Sequence, residues 1–212
     1  MPEFIEAAQP YLTALKDLVT IISIVVGGFV AVRGLEAWRR QLTGTTEYEL
    51  ARRVIKAVYA LRDALERVRS PLITSAEMAN ALQETGTEVE PSADNARAAT
   101  NNAVYQVRWR PVVEAYQALE LEALEAEALW GRELRDLILQ LKANVNSLLS
   151  ALDLILRHQA YPDTNILDHA THEVFSRIIY RQSNDPAQDK YSQELNQQVA
   201  SIEERVRPHL RQ

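Results

Sequence analysis

Four histidines, no cysteine and a scatter of carboxylates are the residues of this 212-residue chain with chemistry to offer. The densest group is Asp168-His169-Ala170-Thr171-His172-Glu173. His169 and His172 are three apart, so on a helix they share a face. Zinc needs a third protein ligand, and the spacing indicates none. The plainer reading is a polar helix face on which Asp168 supports His172 from one turn away. The lack of cysteine removes disulfide scaffolds, iron–sulfur sites, thiol nucleophiles and every cysteine-containing zinc site. No metal and no other cofactor is indicated.

Other catalytic signatures are missing. The sequence has no Gly-rich phosphate loop, no Gly-x-Ser-x-Gly elbow and no carboxylate pair that stands out from an acidic surface. Helical ribonucleases of the HEPN type carry an Arg and a His with four to six residues between them. Here His158 directly follows Arg157, and Arg205 lies too close to His209. The net charge of −6 argues against broad nucleic-acid binding, so no direct nucleic-acid partner is expected. Between Pro111 and Gly131 stand five acids and no base: Glu114, Glu120, Glu122, Glu125 and Glu127. Such a helix is a solvated face, a surface for docking a partner or the lining of a vestibule. Trp109 and Trp130 flank it and read as packing residues.

Composition bounds the elements that must position these groups. The length suits one domain with an appendage, or at most two small domains. Gly and Pro are few, while Leu, Ala and Glu are prominent, which points to helices. The mean hydropathy of −0.23 is that of a soluble protein, but it averages over one uncharged stretch, Leu18 to Val32. Those residues alone would reach roughly 22 Å as a helix, short of a hydrocarbon core of about 30 Å. Flanking apolar residues supply the rest, and Lys16 and Arg33 can snorkel to the headgroups. Tyr11 and Trp38 then fall where interfacial aromatics belong. The start carries Glu3 and Glu6 rather than the bases of a signal peptide.

The net charge divides as −2 over residues 1–30, +4 over 31–70 and −8 over 71–212. Arg33, Arg39 and Arg40 follow the span closely. The positive-inside rule therefore places the N-terminus outside and the body of the chain in the cytoplasm, with the basic block against anionic lipid. Ser23, Gly27 and Ala31 lie four apart on the span, a small-residue face through which helices approach closely.

The sequence predicts residues 1–42 as an N-terminal segment and transmembrane helix, and 43–212 as a cytoplasmic helical bundle. Gly44 is expected to end the first helix, and Thr46-Glu47-Tyr48-Glu49 to cap the next, over about 47–69. Leu50, Val54, Ala57, Val58, Leu61, Leu65 and Val68 make its apolar stripe. Thr74-x-x-Glu77 opens a short helix to about Leu82, and Glu84 to Asp94 reads as a loop. Helix then runs from about Asn95 to His158, with Pro111 starting a new helix or kinking the old one and Gly131 as a second weak point. The run from Leu137 to Leu156 is apolar almost all round and should be central. Further helices are expected over about 165–182 and 186–206. The fold class is all-α, five or six helices on a membrane stalk.

The stretch Trp38 to Arg53, with Ala60-Leu-Arg-Asp-Ala64 and Arg67-Val-Arg-Ser-Pro71, resembles a group of small bacterial proteins with one N-terminal membrane helix and a helical cytoplasmic domain. The resemblance covers about residues 15–75. Some members accompany anti-phage systems, including RNA-targeting CRISPR systems and retrons. It implies an accessory protein at the bacterial inner membrane, in some cases an oligomeric pore that depolarises the cell. It also implies a degenerate HEPN-like domain, with which the missing Arg–His spacing agrees. The expectation is a non-enzymatic, homo-oligomeric effector whose partner is the lipid bilayer. The alternative is a tethered adaptor whose acidic surface recruits a soluble defence-system protein. An enzyme built on His169 and His172 is the third reading.

Overall fold

The computed structural model describes residues 2–89, 95–161, 168–183 and 188–210; for residues 2–15, 17, 37, 40, 42 and 43 it describes the backbone alone. Among the described residues there are six α-helices, one 3-10 helix and no strand. They are α1 (Pro2–Val68), α2 (Ser75–Thr85), α3 (Ala96–Trp130), α4 (Arg132–Ala160), α5 (His169–Ile179) and α6 (Lys190–Val206), followed by the 3-10 turn Arg207–Leu210. The chain divides into two compact units, residues 1–46 and 47–212.

The first difference from expectation lies at the unit boundary. Helix α1 does not stop at Gly44. A glycine inside a helix costs about 1 kcal/mol relative to alanine, which lowers helicity without forbidding it. The expected cap does not form there. The neighbouring Thr45 hydroxyl instead donates back to the Gln41 carbonyl at 2.8 Å, as helical threonines do.

The second unit is a bundle around one core. The whole predicted stripe of α1, from Leu50 to Val68, is buried. It joins Leu119 and Ala126 of α3, Leu134, Leu141 and Leu148 of α4, and Leu195 and Ile202 of α6 in one apolar cluster. Helix α4 packs against α3, α5 and α6, as a central helix should. It is not buried all round, however. Its buried residues Leu134, Ile138, Leu141, Val145, Leu148, Leu152 and Ile155 alternate by four and three, while Leu139 and Leu149 stay exposed. Periodicity of that kind marks one face, and the second apolar face is left open.

Ends follow local chemistry. Thr74 caps α2 through its hydroxyl, which accepts from the Glu77 amide. Gly86 ends it at φ 65°, a left-handed conformation that favours glycine. Helix α3 continues through Pro111, so no new helix starts there. Proline removes one backbone bond, while Val112 and Leu119 just beyond it are buried and hold the helix on the core. Gly131, at φ 81°, separates α3 from α4 as expected.

Candidate functional site

The uncharged stretch sits within a window from Leu18 to Glu36, 19 residues with a mean hydropathy of 2.2, long and apolar enough to cross a membrane. At 1.5 Å per residue it spans about 28 Å, close to a bilayer core. None of the window is buried inside the structure. Eleven large apolar side chains from Leu18 to Leu35 are each more than half exposed. At roughly 1 kcal/mol for covering the remaining area of each, about 10 kcal/mol is left unclaimed within the chain.

Inside this segment the polar groups are turned onto the helix. The Ser23 hydroxyl donates to the Val19 carbonyl and the Thr20 hydroxyl to the Lys16 carbonyl, each at 2.8 Å. Gly27, Gly28 and Gly34 have no neighbour within 4 Å of where a Cβ would stand. Ser23, Gly27 and Ala31 keep their spacing on a continuous helix, and all three are exposed. The Arg33 guanidinium lies over the Phe29 ring at 5.0 Å, and Trp38 and Arg39 are exposed. The side chains of Tyr11 and Arg40 lie outside the described residues.

The histidines are distributed differently from the sequence pattern. His169 is exposed, whereas His172 is half-buried and meets His158 edge-on at 5.9 Å. Asp168 does not support His172 with its side chain. It caps α5, its carboxylate accepting from the Thr171 amide at 2.7 Å, and that bond holds its pKa below the ordinary value. Among the described residues no three His, Asp or Glu side chains are grouped to hold a metal ion. His209 stacks on Trp130 with 4.1 Å between ring centroids, and its Nδ1 lies 2.8 Å from Glu47.

Two buried arginines, neither singled out by spacing, organise the bundle's polar interior. Arg69, 1% exposed, follows α1. It donates to both carboxylate oxygens of Asp189, to the Ser192 hydroxyl and to the carbonyls of Arg177, Ile178 and Tyr180, and it lies over the Tyr191 ring at 4.4 Å. Burial pushes the Asp189 carboxyl up, but the Arg69 and Ser192 hydrogen bonds and the Arg69 charge overcome it and hold the pKa low. Burial also raises the Tyr191 hydroxyl well above its usual range. Arg108 of α3 clamps the other connection. It holds both oxygens of Glu77 and the carbonyls of Ser70 and Leu72, and its hydrogen bonds lower the Glu77 pKa.

The acidic helix is largely neutralised from within. Arg53 reaches Glu122 at 2.8 Å and Glu125 at 2.5 Å. Arg135 and Arg132 reach Glu127, and Lys142 reaches Glu120. Trp109 and Trp130 are half-buried against the core, as packing residues. Neither a family model, nor a curated protein, nor a solved structure matches the chain.

Proposed function

We propose that the chain is a membrane-anchored, non-enzymatic effector of bacterial anti-phage defence, which acts as an oligomer that forms or gates a pore or otherwise perturbs the inner membrane. The observation that carries the reading is the Leu18–Glu36 window, long and apolar enough to cross a bilayer and exposed along its length. Its unclaimed apolar area is what a membrane helix presents to lipid. The three arginines after it orient the chain with its N-terminus outside and residues 43–212 in the cytoplasm. The defence setting rests on the resemblance of the Trp38–Arg53 and Ala60–Pro71 segments. One helix per chain encloses nothing, so a pore requires several copies, packed through Ser23, Gly27 and Ala31.

The open space around Gly27 makes Gly27→Leu a clean probe, because a Cβ there has no neighbour within 4 Å. Cells expressing the protein with its trigger are followed with a membrane-potential dye. Depolarisation by the wild type and its loss in Gly27→Leu support the pore. No depolarisation by the wild type, or an unchanged Gly27→Leu, removes it.

The adaptor reading keeps the same anchor and has less to work with on the acidic side. Four of the five acids on α3 already face bases of this chain. Replacing residues 1–42 with an unrelated membrane anchor separates the two: retained activity favours the adaptor and lost activity the pore.

A further inference from the structure

A cavity of about 590 Å³ lies where the α1–α2 link, α2, the start of α3 and Tyr180 after α5 meet. That size falls within the roughly 300–1,000 Å³ of sites that enclose small ligands. Much of its wall is apolar, with Ile73, Met78, Leu82 and Val89 among the lining side chains. Ile73, Met78 and Leu82 are half-buried on a small cluster of Ala81, Ala103 and Val104, and the area they leave open borders the cavity. Arg97 is the one charged side chain on the wall among the described residues. It is exposed, its guanidinium makes no ion pair among those residues, and the first turn of α3 holds no acid. Arg53, Arg69, Arg108, Arg110 and Arg135, by contrast, each hold a carboxylate. Tyr180 adjoins Tyr105, which is 4% exposed and whose hydroxyl has no hydrogen-bond partner. A buried polar group left unmet is uncommon in a folded protein.

We infer that this cavity binds a small molecule with an apolar body and one carboxylate, of which a medium-chain fatty acid is the simplest example. The apolar wall selects the body, since covering it removes hydrocarbon from water on both sides. Arg97 selects the head. A guanidinium forks onto the two oxygens of a carboxylate, and its single positive charge is matched by a single negative one. A phosphate dianion brings more charge than the wall can match, because no second cation lines it among the described residues. A neutral amphiphile gains nothing from Arg97. The equally large cleft beside α6 offers no such contrast. Its Arg177, Lys190 and Asp189 are paired within the chain with Glu173, Glu194 and Arg69. The inference concerns residues 71–101 and Tyr180 and does not rest on the proposed membrane span.

The test is photolabelling of the full-length protein in phosphatidylcholine nanodiscs. The probe is dodecanoate with a diazirine on its chain, and labelled peptides are mapped by mass spectrometry. Label is expected to saturate on segment 71–101, to be displaced by unlabelled laurate, and to be displaced roughly tenfold less well by dodecanol, which lacks the charge. Arg97→Gln changes an exposed side chain and leaves both apolar clusters intact. It should raise the laurate needed roughly tenfold and leave the dodecanol requirement unchanged. No label on 71–101, or label there that does not saturate, overturns the inference. So does equal displacement by laurate and dodecanol, or an Arg97→Gln variant that responds to laurate as the wild type does. Label on the Leu18–Glu36 window reports contact with probe dissolved in the bilayer and is read on separate peptides, so the two results are independent.

Discussion

Arg69→Met removes the charge at the centre of the bundle's most buried polar network and keeps most of the side chain's apolar length. The wild-type guanidinium makes two bonds to Asp189, one to Ser192 and three to backbone carbonyls, with both charged partners about 98% covered or more. Deleting one member of such a pair leaves the other charge buried, which costs about 3–5 kcal/mol. That is a large share of the 5–15 kcal/mol typical of a folded domain. For a unit of this size, about 4 kcal/mol lowers the melting temperature by roughly 8–16 °C.

The assay is thermal and urea unfolding of the full-length protein in mild detergent, followed by the fluorescence of Trp109 and Trp130. Two further outcomes separate a buried ion pair from simple loss of packing. Asp189→Leu added to Arg69→Met removes the stranded carboxylate and should recover about half the loss. Acid should also help the single variant. Without Arg69, burial, the largest influence on Asp189, is opposed only by the Ser192 hydrogen bonds and raises its pKa, so the native state holds a proton that the unfolded chain has lost. Stability of Arg69→Met therefore falls as pH rises through that raised value, and its deficit shrinks on acidification from pH ~8 to ~5. A melting shift of less than about 3 °C, or a double variant no better than the single, would refute the reasoning.

The wild type behaves in the opposite sense: Glu77 and Asp189 have native pKa values below their ordinary 4.5 and 3.8, so their stabilisation is complete above that range and disappears as pH falls through the lower native values, read as a falling urea midpoint in an acid titration. Leu148→Ala, at a fully buried position, should cost about 2–5 kcal/mol, and Leu149→Ala next to it, 43% exposed, under about 1 kcal/mol, measured by the same unfolding curves. Thr74→Ala should cost about 1 kcal/mol by leaving the Glu77 amide without its cap. Ile24→Arg puts a charge at mid-span at a cost of about 3 kcal/mol or more; fractionation should show reduced membrane recovery, and recovery equal to wild type would count against the span.

Helix type and core membership were legible because they depend on local periodicity. The α1 stripe from Leu50 to Val68 follows helical spacing, and every member is buried. Thr74 and Gly131 likewise act through their immediate neighbours. The failures lie where a local signal is weaker than what the chain does on either side of it. Gly44 and Pro111 are unfavourable in helices, but each adds a bounded cost that flanking helical hydrogen bonds or buried contacts outweigh. The buried arginines were invisible for another reason. Arg69 and Asp189 are 120 residues apart, and nothing in either neighbourhood distinguishes them from surface charges. The acidic run 112–129 lies on the surface, with Glu114, Glu120 and Glu125 exposed, but the bases that pair with it, Arg53, Arg135 and Lys142, stand outside it in sequence and were equally invisible.

The −8 charge of residues 71–212 therefore tells little about where another molecule would bind, because much of the acid on α3 is satisfied within the bundle. Apolar area is the unmet demand. Among the described residues the longest exposed apolar stretch is the Leu18–Glu36 window, and further exposed apolar side chains stand along the α3–α4 seam. The two differ in a way that points to different solvents. The window is uncharged from Leu18 to Val32, with Lys16 and Asp17 before that stretch and Arg33 and Glu36 after it, which suits lipid. The seam is a groove bordered by ion pairs made within the chain, Glu120 with Lys142 and Glu127 with Arg135, so water can face it without an unpaired charge. Under the proposed function, association would run through the small-residue face of the span, and disrupting that face should weaken the oligomer without abolishing the fold of residues 47–212.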